Sequence, residues 1–251
     1  MKKTLLSLGT AALLGLVSAS ASASLINVGG VVWNPDANNT FPSAIDFTGG
    51  GSVLENAVNP PSVTQVTGWG AINSINSQAV GGNQASFCPG CELTYTFSMD
   101  LVSITNGATN FSFDNLVVNV YRDYSNDYAN TLATSSNGDL WLKLVLHPGT
   151  FLTGFGTDIG TGSDQGFGGA DLDAVGGLAQ SNFDTNTKIL GSDVVFNSHF
   201  QPVLDGNGNV TGMLSGGITL TGNTIPEPGS LALLGLGLAG IGFAQRRRSA
   251  K

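Results

Sequence analysis

Residues 92–104 carry the sharpest alternation in the chain. Leu93, Tyr95, Phe97, Met99 and Leu101 fall on one side, with Thr94, Thr96, Ser98 and Asp100 on the other. A period of two puts successive side chains on opposite faces of a strand, so one face is bound for a core. Residues 140–147 repeat the pattern, with Leu140, Leu142, Leu144 and Leu146 opposed to Trp141, Lys143, Val145 and His147. Phe111-Ser112-Phe113 followed by 116–121 predicts another strand or pair, and 26–33, 63–67, 193–200 and 217–221 are further candidates. Asn137-Gly138 and Asp205-Gly206 mark turns between them. Many short strands without a strong helical period predict an all-β chain, an antiparallel β-sandwich or jelly-roll-like fold. Residues 153–177 are so rich in glycine that a long loop is expected there, with a short helix near 172–180.

Both ends break this pattern. Lys2 and Lys3 precede an apolar run over 5–17, and Ala19-Ser20-Ala21-Ser22-Ala23 offers overlapping A-x-A sites. That is the three-part layout of a secretory signal, expected to be cut after Ala23. At the other end Pro226-Glu227-Pro228 is followed by an apolar run over 231–244 and then Arg246-Arg247-Arg248. Fourteen helical residues at ~1.5 Å each span about 21 Å, short of the ~30 Å of a bilayer core. Gly235, Gly237, Gly240 and Gly242 weaken the helix further. Terminal arginines hold such a segment at the cytoplasmic side. The organisation expected is a signal peptide over 1–23, one extracellular domain over 24–224 and a sorting segment over 225–251.

The order Pro-Glu-Pro, apolar span, basic cluster and chain end resembles the PEP-CTERM sorting signal that exosortases of Gram-negative bacteria read. The resemblance implies recognition through Pro226, Glu227 and Pro228, cleavage near them, and earlier passage through the Sec export machinery. It also implies residence at the cell surface or in the extracellular matrix. A shorter likeness lies inside the domain. Gly29-Gly30-Val31-Val32-Trp33-Asn34-Pro35-Asp36 and the block from Phe87 to Phe97 are similar to flocculation-associated PEP-CTERM proteins, which are tied to secreted polysaccharide. That likeness transfers no catalytic residue.

Charge narrows the partners. Between the two end segments only Arg122, Lys143 and Lys188 are basic against sixteen Asp and Glu, a net charge of −13. Such a surface repels nucleic acid, and it repels anionic polymers unless a divalent cation bridges them.

Cys88-Pro89-Gly90-Cys91 holds both cysteines. In an exported chain a local disulfide closing a turn is expected. A redox C-x-x-C usually opens a helix, whereas strand-like alternation follows here. Zinc shared with His147 and His199 lacks the usual ligand spacing. Asp205, Asn207 and Asn209 begin like a calcium loop, but the sixth position is Val210 and the twelfth Gly216, so a hairpin turn fits better. Asp164, Asp171 and Asp173 are further oxygen donors in the glycine-rich stretch. Trp33, Trp69 and Trp141 are candidate sugar-stacking rings, against the usual role of tryptophan in a β core.

Hydrolysis needs an activated nucleophile or a placed acid and base. No G-x-S-x-G or H-E-x-x-H is present, and Asp171 with Asp173 is a candidate carboxylate pair whose separation in space the sequence does not give. The expectation is therefore a non-enzymatic, exported protein that helps cells and exopolysaccharide hold together. No cofactor is expected apart from calcium as an option. The alternatives are a carbohydrate-active enzyme and an ice- or surface-contacting structural protein, the latter hinted at by Thr94-x-Thr96 and Thr219-x-Thr221.

Overall fold

A computed structural model describes residues 25–35, 45–76, 84–105, 107 and 109–225. The signal peptide and the sorting residues from Pro226 onward lie outside these. In chain order the strands are β1 (Ile26–Val28), β2 (Val31–Trp33), β3 (Phe47–Asn56), β4 (Gln65–Ile75), β5 (Glu92–Thr105) and β6 (Asn110–Asp123). They continue with β7 (Asp139–Leu146), β8 (Leu152–Thr157), β9 (Gln165–Gly176), β10 (Val194–Leu204) and β11 (Val210–Gly222). One short helix, α1 (Gln180–Phe183), follows β9.

The all-β antiparallel expectation holds. β3 to β11 form one nine-stranded sheet in which β10 also pairs with β9, and β11 returns to β3. β7 and β8 lie one after the other between β6 and β9, so together they fill a single strand position. The sheet is thereby hydrogen-bonded end to end, and the layers facing each other across the core belong to one continuous meander. Among the described residues of this sheet, closure leaves no long open edge to pair with another chain.

Inward positions alternate as the sequence pattern requires. Leu93, Tyr95, Phe97 and Met99 are buried on β5, as are Leu116, Val118 and Val120 on β6. Glycine makes room for the largest of these rings. Gly68 faces Phe97 and Gly70 faces Tyr95 across the β4–β5 ladder. A Cβ on Gly70 would run into the Ser52 carbonyl and, at 2.7 Å, the Tyr95 hydroxyl.

The glycine-rich stretch is not a loop: it holds β8 and β9. Gly154 pairs with Gly168 and Gly156 with Gly166, while Phe155 lies beside Phe167. A Cβ on Gly154 would strike the Phe167 carbonyl and the Phe111 ring beneath it. Close backbone approach over a buried aromatic, rather than turn geometry, is what selects glycine here. The helix starts at Gln180 because Leu172 and Ala174 are buried strand residues. β3, hidden by three successive glycines, is a further strand that alternation does not reveal.

On β7 the expected faces change at a bulge. Val120 pairs with Leu142 and Tyr121 with Leu140, leaving Trp141 as the extra residue. Trp141 is buried and donates from Nε1 to the Val28 carbonyl at 3.0 Å, whereas Leu140 is exposed. The β1–β2 hairpin and α1 close this end of the barrel around Trp33, Phe47, Trp141 and Phe183, whose rings meet mostly edge-on. At the opposite end the loop after β8 folds inward on Asp164. Its carboxylate accepts from the Val58, Gly160 and Thr161 amides.

Candidate functional site

The outward residues of β5, β6, β8, β9 and β10 line up in two neighbouring rows. Ser103 pairs with Ser112 on β6, and Thr153 with Gly169 on β9, which faces Asn197 on β10. The next row runs from Thr105 and Asn110 through Phe155 and Phe167 to His199 on β10. Between them lies an open trough of about 600 Å³ whose lining contains no charged side chain. The Phe155 and Phe167 rings stand together at one margin, centroids 3.9 Å apart, and are 54% and 48% exposed. The Ser103 and Ser112 hydroxyls are hydrogen-bonded at 2.8 Å. Gly169 keeps the floor open, since a Cβ there would lie 3.1 Å from Asn197 Oδ1.

Of the three tryptophans that were candidates for stacking on sugars, Trp33 and Trp141 are buried and present no face to a ligand. The core role weighed against stacking is the one these two take, where the hairpin covers the barrel end. Trp69 is half-buried, its Nε1 donating to the Asn130 carbonyl at 3.1 Å. Thr94 is also buried, donating to the Ser135 carbonyl, so Thr94 and Thr96 do not form one exposed face.

Asp205, Asn207 and Asn209 occupy the β10–β11 turn. Asp205 Oδ1 accepts from the Asn207 and Asn209 amides at 2.8 and 2.9 Å, and those bonds hold its pKa down. The turn accounts for this run of residues. Cys88 and Cys91 are paired as a disulfide in the turn before β5. Asp171 and Asp173 share the outer face of β9, and Asp173 is held by His147 Nδ1 at 2.8 Å. His199, the register partner of Phe167, lines a neighbouring shallow polar hollow with Tyr128, Asn130 and Gln201. Asp164 points to the barrel end rather than to Asp171 and Asp173.

Among the described residues, two carboxylate groupings stand out that no sequence spacing announced. Glu92 pairs in register with Asp123, and Asp127 follows in the next loop; one oxygen from each lies within 4.8 Å of the others. An all-oxygen set of this kind suits a hard cation. Glu92 Oε1 already accepts from the Asp127 and Tyr128 amides at 3.1 and 3.0 Å. The second grouping is internal. Glu55 and Asp164 border a cavity of about 30 Å³ walled by Val58, Val66, Met99 and Phe111. Burial, and secondarily the Asp164 charge, push the Glu55 carboxyl up to about 8. Burial also raises Asp164. Strand register joins Glu92 to Asp123, and the inward fold of the loop after β8 brings Asp164 to Glu55, neither of which sequence spacing could expose.

The domain ends as a fixed strand of chain. Thr224 Oγ1 accepts from Trp33 Nε1 at 3.2 Å and donates to Asp46 Oδ1 at 3.0 Å. Ile225 exchanges two hydrogen bonds with Asn182, amide to carbonyl at 2.8 Å and carboxamide to carbonyl at 2.9 Å. Over residues 224–248 the chain matches the family model of the PEP-CTERM protein-sorting motif. The chain carries a PEP-CTERM sorting motif. The PEP-CTERM match spans Pro226, Glu227, Pro228, Arg246, Arg247 and Arg248, and it makes the chain an exported, surface-directed substrate of exosortase. Those six residues, like the apolar run, lie outside the described part of the chain. Among the described residues no helix is long and apolar enough to cross a membrane. The PEP-CTERM signal adjoins the folded domain without a spacer, because its first two matched residues, Thr224 and Ile225, are the ones hydrogen-bonded to the barrel. No curated protein and no solved structure matches the chain.

Proposed function

We propose that this PEP-CTERM protein works in the extracellular matrix or at the cell surface, promoting flocculation or biofilm by associating with exopolysaccharide. It acts by binding and not by catalysis. The reading rests on one combination: an exosortase signal joined to a closed β domain whose outer face carries uncharged hydroxyl and amide groups in register. Sugars are recognised by such groups together with exposed aromatic faces. The domain's charge of −13 works against direct contact with acidic polymers, for which calcium would have to act as a bridge. Sec export, removal of residues 1–23 and exosortase cleavage near Pro226 precede that work.

The test compares settled floc fraction in a deletion strain carrying the intact gene or a copy with Pro226, Glu227 and Pro228 changed to alanine. Restoration by the intact gene alone is expected. Normal flocs in the deletion strain would show that aggregation is not the protein's task.

A further inference from the structure

From the rows on the outer face we infer that the trough bounded by Phe155 and Phe167 is a binding site for an extended, uncharged polysaccharide chain. The inference rests on the matrix reading and adds the site and the ligand class.

The first support is the chemistry of the lining. Ser112, Thr153 and Asn197 offer hydroxyl and amide groups that both donate and accept, as neutral sugar hydroxyls require. The second is charge. The domain carries −13 overall, yet no charged side chain lines this trough. An acidic glycan entering it would lose water without gaining a cation, and the surrounding field would oppose it. A neutral glycan meets no such opposition. The third is the Phe155–Phe167 pair. Two large apolar rings stand about half exposed and in contact, in a trough whose other outward lining residues are Ser, Thr, Asn and Gly, with His199 next in register to Phe167. Rings so placed give up apolar surface only when something flat and partly apolar covers them, as the C–H face of a pyranose does.

Size agrees with a chain and not a single sugar. From β5 to β10 the rows cross four interstrand spacings of ~4.8 Å, roughly 19 Å in all. The glycines explain how such a trough exists. Gly154 and Gly168 face inward and let the backbones settle over Phe111, while Gly169 faces outward and leaves the floor bare.

The test is calorimetric titration of the full chain in detergent micelles with cellohexaose, mannohexaose and an alginate hexamer. Binding of at least one neutral hexasaccharide is expected, with alginate silent in the absence of calcium. Phe155→Ala with Phe167→Ala should weaken binding by roughly tenfold or more. Phe155→Tyr should keep it. Asn197→Ala, which leaves the rings in place, should weaken it as well, and thermal unfolding of each variant checks that the fold survives. Tight binding that survives the double alanine change would overturn the assignment. So would binding of alginate alone, absence of any neutral binding, or a concentration-dependent dimer that Phe155→Ala abolishes. Failure here with gene-dependent flocs removes the trough but spares the matrix reading. Trough-dependent sugar binding in a protein whose deletion leaves flocs unchanged does the reverse.

Discussion

Glu55 shows how one residue can govern the pH response of the domain. Its carboxyl is buried in an apolar end of the barrel beside Asp164, so it holds its proton to about pH 8 when folded and to about 4.5 when unfolded. Between these values the folded state binds more protons than the unfolded state. Stability is therefore fully present below about pH 4.5 and falls as pH rises toward 8, by at most roughly 1.4 kcal/mol per pH unit from this group. Asp46, Asp164 and Glu92, all raised first by burial, push in the same direction. Urea midpoints at pH 5 and pH 8 should show the protein weaker at pH 8. Glu55→Gln should flatten the difference; an unchanged slope in that variant would remove Glu55 as its source.

Glycine and aromatic residues act as matched sets at the scale of strands. Gly68 and Gly70 on β4 take the rings of Phe97 and Tyr95 from β5, and Gly154 with Gly168 covers Phe111. Gly70→Ala must displace both the Ser52 carbonyl and the Tyr95 ring, so it should cost about 1–3 kcal/mol in a denaturant melt. Gly206→Ala, in the open β10–β11 turn with nothing near its Cβ, should stay within about 0.5 kcal/mol. Equal effects at the two sites would show that ring accommodation is not what Gly70 provides. The Cys88–Cys91 disulfide closes a very short loop, and replacing both cysteines with alanine should cost about 2 kcal/mol on a chain-entropy estimate. A melt unchanged by reductant would contradict that.

For the molecule as a whole, acidity and closure set the behaviour. A charge of −13 spread over one barrel repels itself, and salt screens the repulsion over a Debye length of ~8 Å at 0.15 M. The melting temperature should therefore rise between low salt and 0.15 M sodium chloride. A fall would mean that specific ion pairs outweigh net repulsion. Arg122 is the element most exposed to that opposite outcome. It pairs with Asp139 at 2.6 Å and donates to the Gly29 carbonyl that closes the β1–β2 hairpin. Because the ladder joins β11 back to β3, loss of the hairpin uncovers an aromatic end without opening the sheet.

Some of this was written in the order of residues alone. Alternation in 92–104 and 140–147 shows two strands because each has one wet and one dry face, and Pro226-Glu227-Pro228 with its apolar and arginine tail states the destination. Such signals are local, so the chain carries them unfolded. The trough is different in kind. Ser103, Ser112, Thr153 and Asn197 are spread over almost a hundred positions, and only strand register sets them side by side. The same holds for Glu92 with Asp123, while Asp164 reaches Glu55 because the loop after β8 folds inward. The glycine-rich stretch misled for a related reason: in isolation glycine favours a loop, and the Phe111 ring that makes it fit a strand comes from elsewhere in the chain. Local periodicity and the sorting tail were settled by sequence; which surfaces came together was settled by closure of the sheet, since pairing across strands depends on partners that are distant in the chain.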